Sequence, residues 1–321
     1  MENTKELDTS QSNAPRLRWV FGFILLLALL IPFLEQSYYT KLVSRIAVFA
    51  IAAVSLDLIV GFAGRVSLGH AAFFGLGVYS VGILGQFGVN HIGLVIPIAL
   101  LVSALIGCFI GAISLRSSGL YFIFITLAFS QMIFFVAQGL RMFGGDDGFR
   151  LPLATVWVEG VDLSQPRVLA YTMVAILILV VYVAQRLMGS NFGRVVMASR
   201  DNARKVNSLG LRPYPYQLSL FTISACMCAL GGVGFANLNE YVSPASISWV
   251  QSGEFLFMVI LGSAGTLLGP ILGAAAFVCL EQILSAWTEY WMFYLGIILM
   301  LRVLFLKTGL LGLMTKGSQH P

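Results

Sequence analysis

The sequence predicts an all-α polytopic membrane protein of about ten transmembrane helices, some broken at glycines and with a possible internal repeat. Three observations carry that prediction. Over 321 residues the composition is 58% hydrophobic and 10% charged, with a mean hydropathy of +0.89, whereas a soluble domain carries roughly 25% charge. Apolar stretches of about 20 residues, the length a bilayer demands, recur along the chain. Lys and Arg collect in particular connections between them, as orientation in a membrane requires.

Taken in order, residues 1–16, "MENTKELDTSQSNAPR", have almost nothing to bury and are expected to be a disordered cytoplasmic tail. A transmembrane domain is expected over 17–306, followed by a second cytoplasmic tail over 307–321. Candidate spans run over 17–34, 42–60, 66–87, 92–114, 119–139, 167–185, 217–237, 250–268, 269–286 and 290–306. The first is not a cleavable signal, because Pro32, Phe33, Leu34 and Glu35 offer no small-x-small site.

The longest basic connection contains Arg186, Arg194, Arg200, Arg204, Lys205 and Arg212 against Asp201 alone, and is expected in the cytoplasm. Arg16 and Arg18 before the first span, and Lys307 and Lys316 after the last, place both termini on that side, as an even number of spans demands. The connection 140–166 carries Asp146, Asp147, Glu159 and Asp162 and falls outside, although Arg141, Arg150 and Arg167 weaken the contrast.

Some classes are disfavoured by the same reading. Cys108, Cys226, Cys228 and Cys279 all lie in apolar segments, with neither CxxC spacing nor a nearby His, so no metal site is expected. The net charge of +5 fits basic cytoplasmic loops, and no nucleic-acid module occurs. An embedded enzyme needs converging acid, base or ligand groups. The acidic residues here are scattered, and the one tight pair, Asp146 and Asp147, sits in a "GGDDG" turn.

Glycine marks the segments of interest. "GFAGRVSLG" at 61–69 joins the second and third spans, and "GSAGTLLGP" at 262–270 joins the eighth and ninth. Paired interruptions of this kind point to a transport site at a repeat interface. The span count gives both the same direction, so they are either a repeat with the count off by one or two similar glycine-rich turns. Broken backbone at membrane depth must face protein or a water-filled cavity. The candidate substrate pathway is therefore Asp57, Gly61, Gly64, Ser67, His70, Phe73, Tyr79, Gly262 and Gly265, with Phe74 and Leu76 beside it. Glu254 and Glu281 are the ionisable candidates of the later spans. A plainer reading has Asp57 and Arg65 near the membrane surface, paired with each other or with water, His70 as a hydrogen-bonded structural histidine and the aromatics as lipid-facing or core residues.

The stretch "GFAGRVSLGHAAFFGLGVYS" resembles the signature of the LivH/LivM permeases, membrane subunits of ABC importers for branched-chain amino acids, and residues 70–74 resemble the LivM branch. "SNFGRVVMASRDNARKVNSLGL" is similar to that family's cytoplasmic loop, as "YVSPASISWVQSGEFLFMVILGSAGTLLGPILGA" and "FLKTGLLGL" are to its C-terminal half. Two departures stand out: Val206 and Asn207 replace a usual Ala-Ala, and Arg65 stands where Gln is common.

The resemblance implies a transport subunit and not an enzyme, in the bacterial inner membrane, with no cofactor of its own. Its partners would be two ATPase subunits, a sister LivH-type permease and a periplasmic substrate-binding protein, with membrane lipid around them. The sequence supports one point independently: no GxxxxGK[ST] phosphate loop occurs, so ATP is used by a partner.

A coupling loop is implied over 186–216, carried by Gly193, Arg194, Arg200, Asp201, Asn202, Arg204 and Gly210. A helix starting after Ser190 and Asn191 would present Val195, Val196 and Met197 to an apolar groove, flanked by arginines for acidic partner residues. Otherwise the loop only fixes topology and meets lipid headgroups. Permeases of this family also serve urea and short amides, and an ion-coupled secondary transporter is the remaining alternative.

Overall fold

The computed structural model describes residues 22, 37–158 and 161–305. Apart from Gly22, the expected first span at 17–34 lies outside the described residues, as do both tails. Among the described residues ten α-helices form. They are α1 Ser37–Asp57, α2 His70–Gln86, α3 Ile92–Ser114, α4 Leu120–Gly139, α5 Pro166–Gly189, α6 Asn191–Ser208, α7 Pro213–Asn239, α8 Trp249–Gly262, α9 Gly269–Trp287 and α10 Trp291–Phe305. A π-helical turn, Leu58–Phe62, prolongs α1.

Among the described residues, six helices are long and apolar enough to cross a membrane: α1 with its π turn, α3, α4, α5, α7 and α9. The shorter α2, α8 and α10 are also apolar. The 14 residues of α8 rise only about 21 Å at ~1.5 Å each. The all-α membrane architecture follows, with six crossings supported by length and apolarity among the described residues.

Three expected boundaries move, each for a backbone reason. The third span begins at His70 instead of 66, because Gly64 at φ 67 turns the chain out of the helix. The eighth ends at Gly262 instead of 268, where Ser263 at φ 115 and Gly265 at φ 79 leave helical space. The expected loop 186–216 is mostly helix, since α5 runs on to Gly189, α6 fills 191–208 and α7 starts at Pro213. Proline at the first helical position of α5 and α7 lacks only an N–H that would have had no helical partner.

The core is built on α7, which packs against α1, α2 and α3, while α1 also packs on α5, α8 and α9. Close approach of α2 and α7 rests on missing side chains. A Cβ on Gly232 would lie 1.9 Å from the Phe74 carbonyl oxygen, and one on Gly77 would lie 2.1 Å from that of Ala229. Lipid offers apolar surface everywhere, so backbone proximity and packing, not exclusion of water, select this interface. Phe49, Phe74, Phe235 and Phe255 fill the adjoining space. Outward faces of α3 and α4 expose Leu101, Leu105, Phe109, Phe124 and Phe135, as a lipid-facing surface does.

The connections sort onto two ends. At one, β1 Phe149–Arg150 pairs antiparallel with β4 Tyr241–Val242, and β2 Val156–Val158 with β3 Val161–Asp162. The Val156 amide donates to Asn90 O at 2.8 Å and the Thr155 amide to Asn237 Oδ1 at 2.9 Å, holding β2 against the ends of α2 and α7. At the other end gather 61–69, the α3–α4 turn, α6 and 263–268, where Arg65 donates to Ser117 O, Gln217 Nε2 to Ser199 Oγ and the Gly265 amide to Asp57 Oδ1. That second end is the strongly basic one, with Arg65, Arg116, Arg186, Arg194, Arg200, Arg204, Lys205 and Arg212.

Candidate functional site

The two glycine-rich connections touch. A Cβ on Gly61 would lie 2.1 Å from the Gly265 nitrogen and 2.3 Å from Asp57 Oδ1, so only glycine permits this approach. Asp57, fully buried at the end of α1, accepts at Oδ1 the Gly265 N–H at 2.7 Å. Its Oδ2 has no hydrogen-bond partner among the described residues. Gly265 itself needs its positive φ of 79. The π turn holds Gly61 in register, with the Ala63 amide donating to Leu58 O and that of Arg65 to Ile59 O. Such turns insert one extra residue into a helix and concentrate at functional sites. The last sequence candidate in this region, Gly262, lies against the Gly269 carbonyl, 1.8 Å from where its Cβ would be, and closes the α8–α9 turn.

Helix α6 reaches into this junction. Arg200 Nη1 donates to Gly61 O at 2.5 Å, its stem covers Gly64, and it is near enough to act electrostatically on Asp57. Beside it, Ser199 Oγ accepts from Gln217 Nε2, while Gln217 Oε1 accepts from Arg65 Nη2 at 3.1 Å. Arg65 also donates to Ser117 O at 2.6 Å and lies over the Phe122 ring. Asp57 and Arg65 are therefore not a pair; each holds a different partner.

A second cluster surrounds His70, which is fully buried. Ser224 Oγ donates to Ser55 O, which only accepts, so Ser224 must accept from His70 Nε2–H at 2.9 Å. Nδ1 is then the unprotonated nitrogen and accepts from Ser67 Oγ at 3.0 Å, while Ser67 accepts the Gly69 amide. The amides that open α2 are met by hydroxyls: Leu68 donates to Thr126 Oγ1 and Ala71 to Ser252 Oγ. These amides at the break before α2 are occupied by the protein's own hydroxyls. Phe73 and Phe74 are fully buried and packed against Phe221 and Phe255, so neither lines a passage here. Tyr79 lies two to three turns further along α2, also buried, with no hydrogen-bond partner for its hydroxyl among the described residues.

The coupling candidates all lie on α6 or its flanks. Gly193 makes the tight α5–α6 turn, where a Cβ would meet Met188 O at 2.3 Å. Arg194 bonds Asn191 Oδ1. Asp201 and Arg204 are exposed, and Gly210 at φ 81 turns the chain into α7. Asn202 breaks α6, with φ −157 and ψ 95, and its Oδ1 caps the second piece by accepting the Lys205 amide at 3.1 Å. Of the three apolar residues expected to face a partner, Val196 is fully buried against its own chain, and only Val195 and Met197 stay partly open.

Sequence reasoning missed Gln217, Ser224, Ser252 and Thr126. The available signal was polar side chains inside apolar spans, which must find partners within the bundle. It also missed a cavity of about 370 Å³ near the hairpin end, lined by Val78, Phe235, Asn239, Ser246 and Gln251. Elsewhere Arg45 pairs with Glu281 at 2.7 Å, and Glu254 accepts from Gln251 Nε2. No cluster of three metal-ligating side chains occurs among the described residues.

A family model described as the branched-chain amino acid transport system permease component matches residues 38–303. The chain is 28% identical over 313 residues to the high-affinity branched-chain amino acid transport system permease protein LivM of Salmonella typhimurium, covering 90% of this chain and 73% of that one. The LivM of Escherichia coli strain K12 gives the same identity and coverage. The probable branched-chain amino acid transport permease protein LivM of Methanocaldococcus jannaschii is 24% identical over 285 residues, 78% of this chain and 82% of the relative. No solved structure matches the chain.

Proposed function

The chain belongs to the branched-chain amino acid transport permease family, and on that premise we propose that it is the LivM-type permease subunit of an ABC importer for leucine, isoleucine and valine. The observation that carries this reading is similarity to LivM along nine-tenths of the chain. The structure supports it with an amphipathic, basic helix, α6, set outside an otherwise apolar bundle. ATP is hydrolysed on two partner subunits, a sister permease completes the pathway, and a periplasmic binding protein delivers substrate at the hairpin end. The basic end then faces the cytoplasm, in keeping with the bias of Lys and Arg toward that side. Exposed Arg204 and Lys205 on the second piece of α6 offer charge to acidic ATPase residues.

The test is uptake of radiolabelled leucine by vesicles holding the complete importer, with and without internal ATP. ATP-dependent accumulation is expected. ATP-dependent uptake of urea or a short amide, without leucine, would keep the machine and change its cargo. Transport by this chain alone without ATP would overturn the assignment.

A further inference from the structure

We propose that Arg200 is the positioning residue through which α6 holds the two glycine loops together, so that displacement of α6 by the ATPase releases the cytoplasmic side of the pathway. This rests on the importer reading and adds a role that is distinct from docking.

Among the described residues Arg200 is exposed, as Arg204 is, but unlike Arg204 it is engaged by its own chain, donating to Gly61 O while its stem packs on Gly64. Gly61 is also the residue that abuts Gly265, and Gly265 is gripped by Asp57 from the end of the same helix. One side chain of α6 thus bears on the contact between the loops that end α1 and α8. Its neighbour Ser199 reaches the far side of the first loop through Gln217 and Arg65. Two consecutive α6 residues therefore hold positions 61 and 65 of one loop.

The local design suits a latch. Among the described residues, the Gly265 to Asp57 bond joins the two sides of the junction and the Arg200 to Gly61 bond ties α6 to it, with Asp57 committing one oxygen. Arg200 lies two residues before the break at Asn202, beyond which the second piece of α6 is exposed except at Val206. Ser263, beside the junction, is held at φ 115, a conformation that L side chains adopt only under constraint. The loop it belongs to gains freedom once the constraint is lifted.

The experiment uses the whole importer, with its binding protein, in proteoliposomes. Arg200→Met keeps the stem over Gly64 and removes the donors; Arg200→Lys returns one. With Arg200→Met the ATPases are expected to co-purify in the wild-type ratio, while leucine moved per ATP hydrolysed falls at least about tenfold, within the usual span of coupling between sites. Arg200→Lys is expected to recover part of that ratio. Loss of the ATPases from either variant would make Arg200 a docking contact, and an unchanged transport-to-hydrolysis ratio would remove it from the transmission route; either result overturns the proposal. Failure of the wild-type importer to take up leucine would count against the function itself, and is seen before any variant is made.

Discussion

His70 has both ring nitrogens and its edges engaged, by Ser67, Ser224, Phe73 and Phe221. It joins the start of α2 to α1 and α7, and a neutral Nε2–H tautomer satisfies the whole chain of bonds. Replacing it with Ala strands two hydroxyls and leaves a cavity, a loss of about 2–4 kcal/mol for combined hydrogen-bond and packing deletion. Detergent-unfolding midpoints should show that loss for His70→Ala, accompanied by reduced membrane levels. A variant as stable as wild type but dead in transport would instead put His70 in contact with substrate. The sequence pattern made Ser67 and His70 legible as inward-facing neighbours three residues apart. Their partner Ser224 lies 154 positions beyond His70, and no spacing rule reaches that far. The same holds for Arg65 and Gln217, which are 152 apart. In each case the need for a partner was visible, and its identity was set by tertiary packing.

At the scale of elements, the two glycine-rich connections were legible as a matched pair, but their contact was not. The sequence grouped Gly61, Gly64, Gly262 and Gly265 in one candidate pathway, and the fold adds that Gly61 and Gly265 meet backbone to backbone at one end of the bundle. Gly61→Ala must push the loops apart, because its methyl would fall 2.1 Å from a backbone nitrogen that cannot yield as a flexible side chain does. Uptake should fall sharply while expression holds, as measured by labelled-leucine transport against immunoblot level. In the core, Gly232→Val meets the Phe74 carbonyl and should abolish the folded species altogether, seen as loss of the monodisperse peak in size-exclusion chromatography. For α6, the basic composition foretold a hydrophilic segment, and Ser190 with Asn191 marked its start. Its division at Asn202 was not read from the sequence, although Asn favours caps over helix interiors. Asn202→Ala removes the cap on the Lys205 amide, at a cost of about 1 kcal/mol. Hydrogen exchange should quicken over 203–208 and stay unchanged over 191–201.

For the whole molecule, the separation of charge between the two ends is the property with the clearest consequence. Eight named Lys and Arg residues share the α6 end with Asp201, whereas the hairpin end mixes Arg141, Arg150 and Arg167 with Asp146, Asp147, Asp162 and Glu240. The sequence already held this asymmetry, but weakly, since the basic residues of 140–166 blurred it. The fold sharpens it by linking Arg65 through Gln217 to α6 and by bonding it to Ser117 O, next to Arg116, in the turn between α3 and α4. Basic short loops are retained on the cytoplasmic side, so α6 is expected inside and the 144–148 turn outside. Single cysteines at Ser208 and Asp146, both exposed, report on the two ends. Cys108 and Cys279 are exposed within the apolar helices α3 and α9, so a membrane-impermeant maleimide meets them only in lipid. In spheroplasts Asp146→Cys should label at once and Ser208→Cys only after lysis. The reverse pattern would invert the molecule, move α6 away from ATP, and leave the importer reading without a place for its motor.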